Sequence, residues 1–451
     1  MNPSIFREYD IRGLAEKDFD RDFAEILGKV HGTIINERGG RRVAVGRDCR
    51  STSDPYAEAV IQGLLSAGLH VYDVGVCPTP LLYFSLFHLD LDGGVQVTAS
   101  HNPSEYNGFK VCVGKETLYG SQIQELRRKI EQRDFKEISG GRRESYAIIP
   151  PYQEHLLRDV PALARPLRVV VDAGSGVGGP VAPPIFRRLK CTVWEIACIP
   201  DGNFPFHHPD PTVPENLEML IEKVKEEGAD VGVAYDGDAD RIGVVDERGN
   251  ILWGDDLLIL FARDVLERHP GATVISEVKC SQRLFDQIAL RGGTPIMWKA
   301  GHSLLKAKMK ETKALLAGEM SGHMFFADRY YGYDDAIYAS LRLLELLARS
   351  GQPLSALLAD VPKAFSTPEI RVDCPDEKKF RIAAEATEFF RKHYPVIDVD
   401  GVRIQFPEGW GLIRASNTQP ALVLRFEAKS AEKLEEYRKI VEGRLKEFES
   451  R

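Results

Sequence analysis

A serine in a polar loop directly after an apolar run is the first feature that could do covalent chemistry. The run GGVQVT has the alternation and β-branched residues of a strand, and the following HNPSEYNG contains residues that break regular structure. Ser100 is therefore predicted to lie at the carboxyl end of a strand, with His101 beside it and Lys110 ten residues later. A hydroxyl near a positive charge suits a site that handles a phosphoryl group. The alternative is that Ser100 only caps the following turn.

Three carboxylates stand at alternate positions of DGDADR, namely Asp236, Asp238 and Asp240. On a loop they can converge on one hard cation, and oxygen ligands favour magnesium or calcium over zinc. Arg241 follows directly and could complement a phosphate brought to the metal. An EF-hand is excluded because Arg241 occupies the position where glycine is needed. An acidic surface turn is the alternative.

Two other loops carry polar groups of types that suit a sugar or its phosphate. GEMSGH offers alternating groups between glycines that allow a ligand to approach closely, in Glu319, Ser321 and His323. RASNTQP combines a guanidinium with short donors, an arrangement typical of an anion site, in Arg414, Ser416, Asn417 and Thr418. An ordinary turn or loop is the alternative for each. Two further candidates at predicted strand ends are Lys279 and His302, for each of which a surface or packing role is the commoner alternative.

The elements that must position these loops follow a weak threefold repeat. Strand, helix, strand, helix, strand is predicted three times, starting at residues 41–48, 167–176 and 272–281. The third strand of each pass leads into TASHNP, DGDADR or GEMSGH. Ligands bind at the carboxyl ends of strands in open α/β sheets, so three such domains could turn these loops toward one cleft. The repetition favours the functional interpretation of all three.

The chain is predicted to form four domains, since 451 residues at roughly 150 per domain suggest three or four. From about residue 366 a strand, a helix, a hairpin with a DG turn and a charged closing helix indicate a small α+β domain. The fold class is α/β, with three related α/β domains of mixed, mainly parallel sheets around a cleft. The predicted segments are 1–148 with the serine loop, 149–250 with the metal loop, 251–365 with the sugar loop and 366–451 with the phosphate loop.

Composition excludes several classes of protein. The 43% hydrophobic and 28% charged residues are typical of globular domains and not of disordered chains. A net charge of −8 argues against a general nucleic-acid binder. No apolar stretch approaches the roughly 20 residues that span a bilayer, and the polar start MNPSIFREYDIRG differs from a secretory peptide. We expect a cytoplasmic protein whose seven scattered cysteines are reduced.

The opening FREYDIRG packs charged and aromatic side chains into a few positions, including Tyr9 and Arg12. It is either a solvated chain end or a loop that lines a site. On composition alone, the ordinary behaviour of chain termini favours the solvated end.

Taken together, these motifs resemble the α-D-phosphohexomutase superfamily and, within it, the bacterial phosphomannomutase/phosphoglucomutase group. The resemblance covers the whole chain, in the order FREYDIRG, TASHNPSEYNGFK, DGDADR, KAGHS, GEMSGH and RASNTQP. Any one of these motifs could arise by chance, whereas six in series are a strong signal. The resemblance implies interconversion of hexose 1- and 6-phosphates of mannose or glucose, through a phosphoserine and a hexose 1,6-bisphosphate that also serves as activator.

The resemblance also implies roles for individual residues. Ser100 would carry the phosphoryl group and, through it, bind Mg²⁺ together with Asp236, Asp238 and Asp240. Glu319 and Ser321 would hold sugar hydroxyls, and the clamp for the non-reacting phosphate would be Arg414, Ser416, Asn417 and Thr418. Further residues expected to line the cleft are Tyr9, Arg12, His101, Lys110, Arg241, Lys279, His302 and His323. Hexose phosphates are the expected partners, without nucleic acid or membrane, for a monomer or small homo-oligomer.

Three alternatives remain open on the sequence. Phosphoglucosamine mutases usually have a different residue where Met320 stands, so glucosamine phosphate is the second choice of substrate. A magnesium-dependent phosphatase would use the same acids but release phosphate to water. A non-catalytic sugar-phosphate binding protein would not need Ser100.

Overall fold

The structure is a computed structural model that describes residues 2–417 and 420–449. Its contacts divide the chain into two compact units. The first contains the residues up to Leu257 together with Ser321–Leu357, and the second contains Leu258–Met320 and the residues from Leu358 onward. Within the described ranges, no helix is both long enough and apolar enough to cross a lipid bilayer.

The first unit begins with a seven-stranded mixed sheet. In spatial order its strands are Ile11–Leu14, Tyr106–Val113, Gly93–Val97, Arg42–Arg47, His70–Val76 and Arg142–Ser145, with Glu116–Thr117 beside Tyr106–Val113. The strands from Gly93–Val97 to Arg142–Ser145 pair in parallel, and the remaining pairs are antiparallel. Gly93–Val97 is buried along its whole length, as expected of a strand covered on both faces. The helices of this region are Arg21–Glu37, Ser53–Ser66, Thr79–His88 and Ser121–Glu131.

A second sheet of the first unit carries the acidic loop. Its strands, in spatial order, are Ile251–Leu252, Ile242–Asp246, Val231–Tyr235, Arg168–Asp172 and Thr192–Ile196. Val231–Tyr235 pairs antiparallel with Ile242–Asp246, with Tyr235 opposite Ile242. Residues 236–241 therefore form the tight connection between two buried strands. The other elements of this part are the helices Ile149–Asp159, Ala182–Arg188, Glu218–Glu227 and Ala336–Ser350 and the strand Met324–Phe326.

The second unit contains parallel strands and an antiparallel sheet. Thr273–Glu277 pairs in parallel with Thr294–Trp298 and with Leu316–Gly318. The α-helices Gln282–Leu290 and His302–Thr312 accompany these strands, and the helix Gly254–Arg268 runs into this unit from the first. Loops that carry predicted site residues follow all three strands, as the repeat predicted.

The C-terminal sheet of the second unit is wholly antiparallel. Its strands, in spatial order, are Phe365–Ser366, Ala421–Ala428, Gly409–Ala415, Val402–Phe406 and Val396–Ile397, with Ile370–Asp373 also paired to Ala421–Ala428. The helices Asp376–Arg391 and Ala431–Glu449 pack on this sheet around a core that includes Phe390, Phe426 and Val441. The predicted α/β architecture, with mixed sheets and a smaller C-terminal α+β part, is confirmed.

Two local expectations from the sequence are wrong. FREYDIRG is not a solvated end, because Ile11–Leu14 is an edge strand of the first sheet and Tyr9 and Asp10 are buried. The break in regular structure after Ser100 is short, because Tyr106–Val113 resumes as a long strand despite Asn107 and Gly108. In both cases a partner strand supplies backbone hydrogen bonds that outweigh the local preference of the residues. The seven cysteines are free thiols, and five of them are buried.

Candidate active site

Ser100 follows the strand Gly93–Val97 by three residues and is held in an uncommon backbone conformation. Its φ is +52°, a region that residues other than glycine seldom adopt. The backbone N–H of Ser100 donates to Oγ1 of Thr98 at 2.9 Å, and the side chain is buried. Such conformations cost free energy and persist where the surroundings impose them, often at functional sites.

The hydroxyl of Ser100 touches two titratable side chains. It donates to Oδ2 of Asp236 at 2.7 Å and lies 3.1 Å from Nδ1 of His101. Burial, together with the nearby charges of Arg241 and Arg12, holds the pKa of His101 well below its usual value. The imidazole is therefore neutral at pH 7. A neutral ring can exchange a hydrogen bond with the hydroxyl without placing a further charge beside it.

All three carboxylates of the DGDADR loop are fully buried, so the alternative of an acidic surface turn is wrong. Oδ1 of Asp236 accepts the backbone N–H groups of Asp240 and Arg241, each at 3.1 Å. These bonds hold residues 236–241 in a tight connection between the two strands. The three aspartate side chains therefore converge. One oxygen from each of Asp236, Asp238 and Asp240 lies within 4.8 Å of the others.

Lys110 is the buried cation that faces this cluster. Its Nζ donates to Oδ2 of Asp238 at 2.8 Å and also to Oδ2 of Asp240. Burial acts to lower the pKa of Lys110, but the surrounding carboxylates outweigh it and raise the pKa above its usual value. For Asp240, burial acts to raise the pKa, but Lys110 outweighs it and the pKa is lowered. Burial and the charges of Asp240 and Asp238 raise the pKa of Asp236 well above its usual value.

The cluster fits a hard divalent cation. Among the residues that the structure describes, Oδ1 of Asp238 and Oδ1 of Asp240 are buried without a hydrogen-bond partner. A buried carboxylate oxygen without a partner costs free energy that a bound cation would recover. One ammonium also leaves three neighbouring carboxyl groups undercompensated. An all-oxygen donor set of this kind suits Mg²⁺ or Ca²⁺.

Arg241 is oriented by a histidine of the GEMSGH loop. Its Nε donates to Nε2 of His323 at 3.0 Å, so Nε2 must be the acceptor and Nδ1 must carry the proton. That nitrogen faces Asp334, with Oδ2 at 3.4 Å, and lies 3.7 Å from Oδ1 of Asp240. Asp240, His323 and Asp334 are close enough to hold a metal, but a protonated Nδ1 is not a ligand. Of the two groups, the aspartate trio is therefore the one whose atoms fit a cation.

Thr79 and Asp334 belong to this site although the sequence analysis did not name them. Thr79 donates to Asp238 twice, from its backbone N–H to the carbonyl at 3.0 Å and from Oγ1 to Oδ2. Thr79 follows the strand His70–Val76 closely and begins the helix Thr79–His88, and that position after a strand was the available signal.

The opening segment contacts the serine loop directly. Nη1 of Arg12 donates to Oδ1 of Asn102 at 2.7 Å, and Nη2 donates to Oδ2 of Asp10 at 2.6 Å. Tyr9, which precedes these residues in the sequence, is also buried. Ser321 also belongs to the first unit, where it is half-buried in a turn.

In the second unit, Lys279 and Glu319 lie close to a buried carboxylate, Glu277. Oε2 of Glu277 accepts the N–H of Lys279 at 2.7 Å, and Oε1 accepts the N–H of Met320 at 3.3 Å. Nζ of Lys279 binds Glu369 at 3.0 Å. Burial acts to lower the pKa of Lys279, but Glu277 and Glu369 raise it above its usual value. Lys279 in turn lowers the pKa of Glu369 to about 2.

The sugar-loop glutamate is fixed from the KAGHS loop. Oε1 of Glu319 accepts the N–H of Gly301 at 2.7 Å. The next residue, His302, is buried at the start of the helix His302–Thr312. The structure thus brings Lys279, His302 and Glu319 to the ends of neighbouring parallel strands.

The predicted phosphate clamp lies at the end of the strand Gly409–Ala415. Arg414 and Ser416 are buried, and Asn417 is partly buried. Nε of Arg414 donates to Oδ2 of Asp400 at 3.0 Å, which fixes the plane of the guanidinium. Thr418 lies outside the described residues.

Comparison with known proteins identifies the same family that the sequence motifs resemble, along nearly the whole chain. Four family models match in series, described as phosphoglucomutase/phosphomannomutase α/β/α domains I, II and III and the C-terminal domain. They match residues 3–137, 150–249, 253–365 and 369–443.

Individual relatives agree with these matches. The phosphomannomutase/phosphoglucomutase of Pseudomonas aeruginosa is 48% identical over 450 residues, which cover 99% of this chain and 96% of the relative. A phosphoglucomutase of Neisseria gonorrhoeae is 44% identical, with 94% of this chain and 93% of the relative covered. The crystal structure of a phosphoglucomutase/phosphomannomutase family protein of Burkholderia thailandensis superposes with a TM-score of 0.93 at 43% identity, covering 100% of this chain and 98% of that one. The chain therefore belongs to the phosphoglucomutase/phosphomannomutase family of the α-D-phosphohexomutase superfamily.

Proposed function

We propose that this protein interconverts the 1- and 6-phosphates of mannose and glucose, with Ser100 as the residue that carries the transferable phosphoryl group. The observation that carries the proposal is the buried hydroxyl of Ser100 on Asp236, within a cluster of three carboxylates and one lysine. A hydroxyl at such a place can exchange a phosphoryl group whose charge a bound cation would offset, and catalysis then consists mainly of positioning and charge stabilisation.

The proposed reaction has two transfers that mirror each other. In the first, the bond between phosphorus and Oγ of Ser100 breaks while a bond forms to the free sugar hydroxyl. The proton of that hydroxyl passes to a base of the site, and the leaving Oγ takes up a proton in exchange, so that Ser100 regains its hydroxyl. The product is a hexose 1,6-bisphosphate. This intermediate must turn around, so that its other phosphoryl group returns to Oγ and leaves a hydroxyl at the opposite position. Added bisphosphate phosphorylates the free serine and therefore acts as an activator.

The residues around Ser100 are proposed to manage the charge of this exchange. Mg²⁺, bound by Asp236, Asp238, Asp240 and the phosphoryl oxygens on Ser100, would withdraw charge from the group in transfer. A phosphoserine carries about −1.5 to −2 charges. Lys110 and Arg241 supply permanent positive charge beside it, while the neutral ring of His101 adjoins Oγ and suits a proton carrier.

The remaining predicted residues are proposed to bind the substrate. Glu319 accepts hydrogen bonds from sugar hydroxyls, with Ser321 and His323 beside it in sequence. The guanidinium of Arg414 holds the non-reacting phosphate together with Ser416, Asn417 and Thr418. Other residues proposed to line the site are Tyr9, Arg12, Lys279 and His302.

The choice of sugar rests on the relatives. Relatives that are 44% to 48% identical to this chain are named phosphomannomutase/phosphoglucomutase or phosphoglucomutase, which does not favour a phosphoglucosamine mutase. We further propose that the segments 1–148, 149–250, 251–365 and 366–451 are its domains. A cytoplasmic location and a monomer or small homo-oligomer remain predictions.

The test is a coupled assay with glucose 1-phosphate or mannose 1-phosphate, Mg²⁺ and a trace of glucose 1,6-bisphosphate, with free phosphate measured in parallel. We expect the 6-phosphate to form without phosphate release. ³²P from labelled bisphosphate should appear on Ser100 of the intact protein. Ser100→Ala should lower turnover by more than about 1,000-fold and keep substrate binding. Ser104→Ala, an exposed serine of the same loop, is the control.

Two results would contradict the proposed mutase activity. Stoichiometric phosphate release without isomerised product would indicate a phosphatase. Unchanged turnover in Ser100→Ala would show that this hydroxyl carries no phosphoryl group.

A further inference from the structure

Arg50 lies beneath the serine loop, where its guanidinium binds backbone carbonyls. Nη2 donates to the carbonyl oxygens of Ser100 at 2.9 Å and Asn102 at 2.6 Å. Nη1 donates to the carbonyl of Tyr106 at 3.1 Å and to that of Pro103. The side chain of Arg50 is wholly buried. One side chain thus gathers four carbonyls from seven consecutive residues around Ser100.

The guanidinium is itself fixed from two sides. Oδ2 of Asp48 accepts from Nε of Arg50 at 3.1 Å and from Oγ1 of Thr98 at 2.8 Å. Thr98 is the residue whose Oγ1 accepts the backbone N–H of Ser100. The ring of Phe204 lies against the guanidinium, with its centroid 5.0 Å from the Cζ of Arg50. Asp48 therefore connects to both the N–H and the C=O of Ser100, each through one intervening side chain.

This arrangement explains how a serine is kept at a positive φ. The carbonyls of an irregular loop have no strand or helix partners, and a buried carbonyl without a partner costs free energy. A planar fork with five N–H donors can serve several carbonyls at once, whereas an ammonium is a single point of charge. The bonds of Arg50 therefore offset the cost of the strained conformation.

We propose that Arg50 is a positioning residue for phosphoryl transfer, which acts by fixing Oγ of Ser100 relative to Asp236 without itself touching the substrate. The inference rests on the proposed function, because it assigns Arg50 a task in the exchange at Ser100. A displacement of about 1 Å at a reacting atom can lower a rate by about 100-fold. Replacement of Arg50 should therefore lower the rate of phosphoryl transfer and leave substrate binding largely unchanged.

The test compares Arg50→Lys with the unaltered full-length enzyme, both saturated with Mg²⁺. The rate at which glucose 1,6-bisphosphate phosphorylates Ser100 is followed by intact-protein mass spectrometry, and kcat and KM are measured in the coupled assay. We expect phosphorylation and kcat to fall about 10- to 100-fold, with KM changed less than about threefold.

Arg342→Lys is the matched control. Arg342 is as deeply buried, forms a bidentate ion pair with Asp328 and lies in the same unit. We expect it to lower the melting temperature and to leave the rate of Ser100 phosphorylation within about threefold of the unaltered enzyme. An equal fall in both variants would mean that loss of any buried arginine produces the effect, and the inference would be wrong.

A milder variant keeps the proposal testable if Arg50→Lys does not fold. Phe204→Leu removes the aromatic face from the guanidinium at a half-buried position, and it should slow phosphorylation of Ser100 about two- to fivefold at unchanged KM. Phosphorylation at the rate of the unaltered enzyme in Arg50→Lys, or in Phe204→Leu if Arg50→Lys does not fold, would overturn the role of Arg50 and leave the proposed mutase activity standing. Absence of label on Ser100 in the unaltered enzyme would instead overturn the proposed function, and the role of Arg50 with it.

Discussion

The hydroxyl of Ser100 donates to Oδ2 of Asp236 at 2.7 Å, although the two residues are 136 positions apart in the chain. One follows a parallel strand of the first sheet, and the other begins the connection between two antiparallel strands of the second. The contact places the proposed phosphoryl carrier on a carboxyl group whose pKa is raised by burial and by Asp240 and Asp238. Such a site is built at the expense of stability, since like charges are confined together.

Asp236→Asn should therefore stabilise the metal-free protein while it impairs the enzyme. A raised folded-state pKa costs stability above the unfolded value of 3.8, and asparagine removes that cost. At pH 7.5 in EDTA we expect the free energy of unfolding to rise by more than about 1 kcal/mol, a gain that vanishes below about pH 3.8. Activity should fall at least about 100-fold through loss of a proposed metal ligand.

The measurement is urea unfolding at several pH values, with Asp90→Asn as the control. Asp90 is exposed, so its substitution should change the free energy of unfolding by less than about 0.5 kcal/mol. If Asp236→Asn were less stable than the unaltered protein in EDTA, the burial of Asp236 beside Asp238 and Asp240 would not be destabilising, contrary to the prediction.

Gly237→Ala should disrupt the same contact sterically. A Cβ at this position would lie 2.5 Å from the carbonyl oxygen of Ser100, closer than such atoms approach. The serine and acidic loops would have to separate, so we expect kcat to fall about 100-fold while the fold is kept. Gly443→Ala, whose Cβ would meet open space in the final helix, should raise stability by about 0.5–1 kcal/mol and leave kcat unchanged. Equal activities in the two variants would show that the loops accommodate the methyl group.

Arg414→Lys should separate substrate binding from phosphoryl transfer. Lysine keeps the charge but loses the fork that Asp400 orients, so KM for the sugar phosphate should rise about 10- to 100-fold. The phosphorylation of Ser100 by bisphosphate at saturation should change much less. Arg444→Lys, an exposed arginine paired with Glu447, is the control with unchanged KM. A fall in kcat at constant KM would assign Arg414 to the transfer step and not to a clamp.

The sequence predicted the loops better than the contacts that hold them. Alternation and turn residues were enough to place Ser100 and the DGDADR acids after strands, because these signals are local. The mixed, mainly parallel sheets and the C-terminal α+β part followed from the same periodicities. The resemblance supplied roles for individual residues, and those roles remain predictions for the experiments above.

Contacts between distant positions left no comparable signal. Nothing in the sequence marks Arg50 or Asp48, and only the fold reveals that Arg50 binds four carbonyls between Ser100 and Tyr106. The burial of Tyr9 was missed for the same reason. Composition cannot show that the strand after Tyr9, Ile11–Leu14, pairs with Tyr106–Val113. Side chains that satisfy backbone groups across the fold are therefore the part that sequence patterns did not reach.

His31 should control the acid stability of the first unit. It lies wholly buried in the helix Arg21–Glu37, where Nε2 binds the carbonyl of Cys112 at 2.9 Å. Burial disfavours the imidazolium and lowers the pKa of His31 from 6.5 to about 4. Between these values the unfolded chain binds a proton that the folded protein does not, so stability is kept above pH 6.5 and lost as the pH falls toward 4.

His31→Gln keeps a donor for the Cys112 carbonyl and cannot titrate, so it should lose less stability on acidification. The free energy of unfolding of the unaltered protein should fall relative to the variant by about 3 kcal/mol from pH 7 to pH 4, because one pKa unit corresponds to about 1.4 kcal/mol. Urea unfolding of both proteins, followed by circular dichroism in half-unit steps of pH, measures this difference. A difference between the two proteins that stays constant across the range would mean that the folded state already accepts the proton at His31, contrary to its burial.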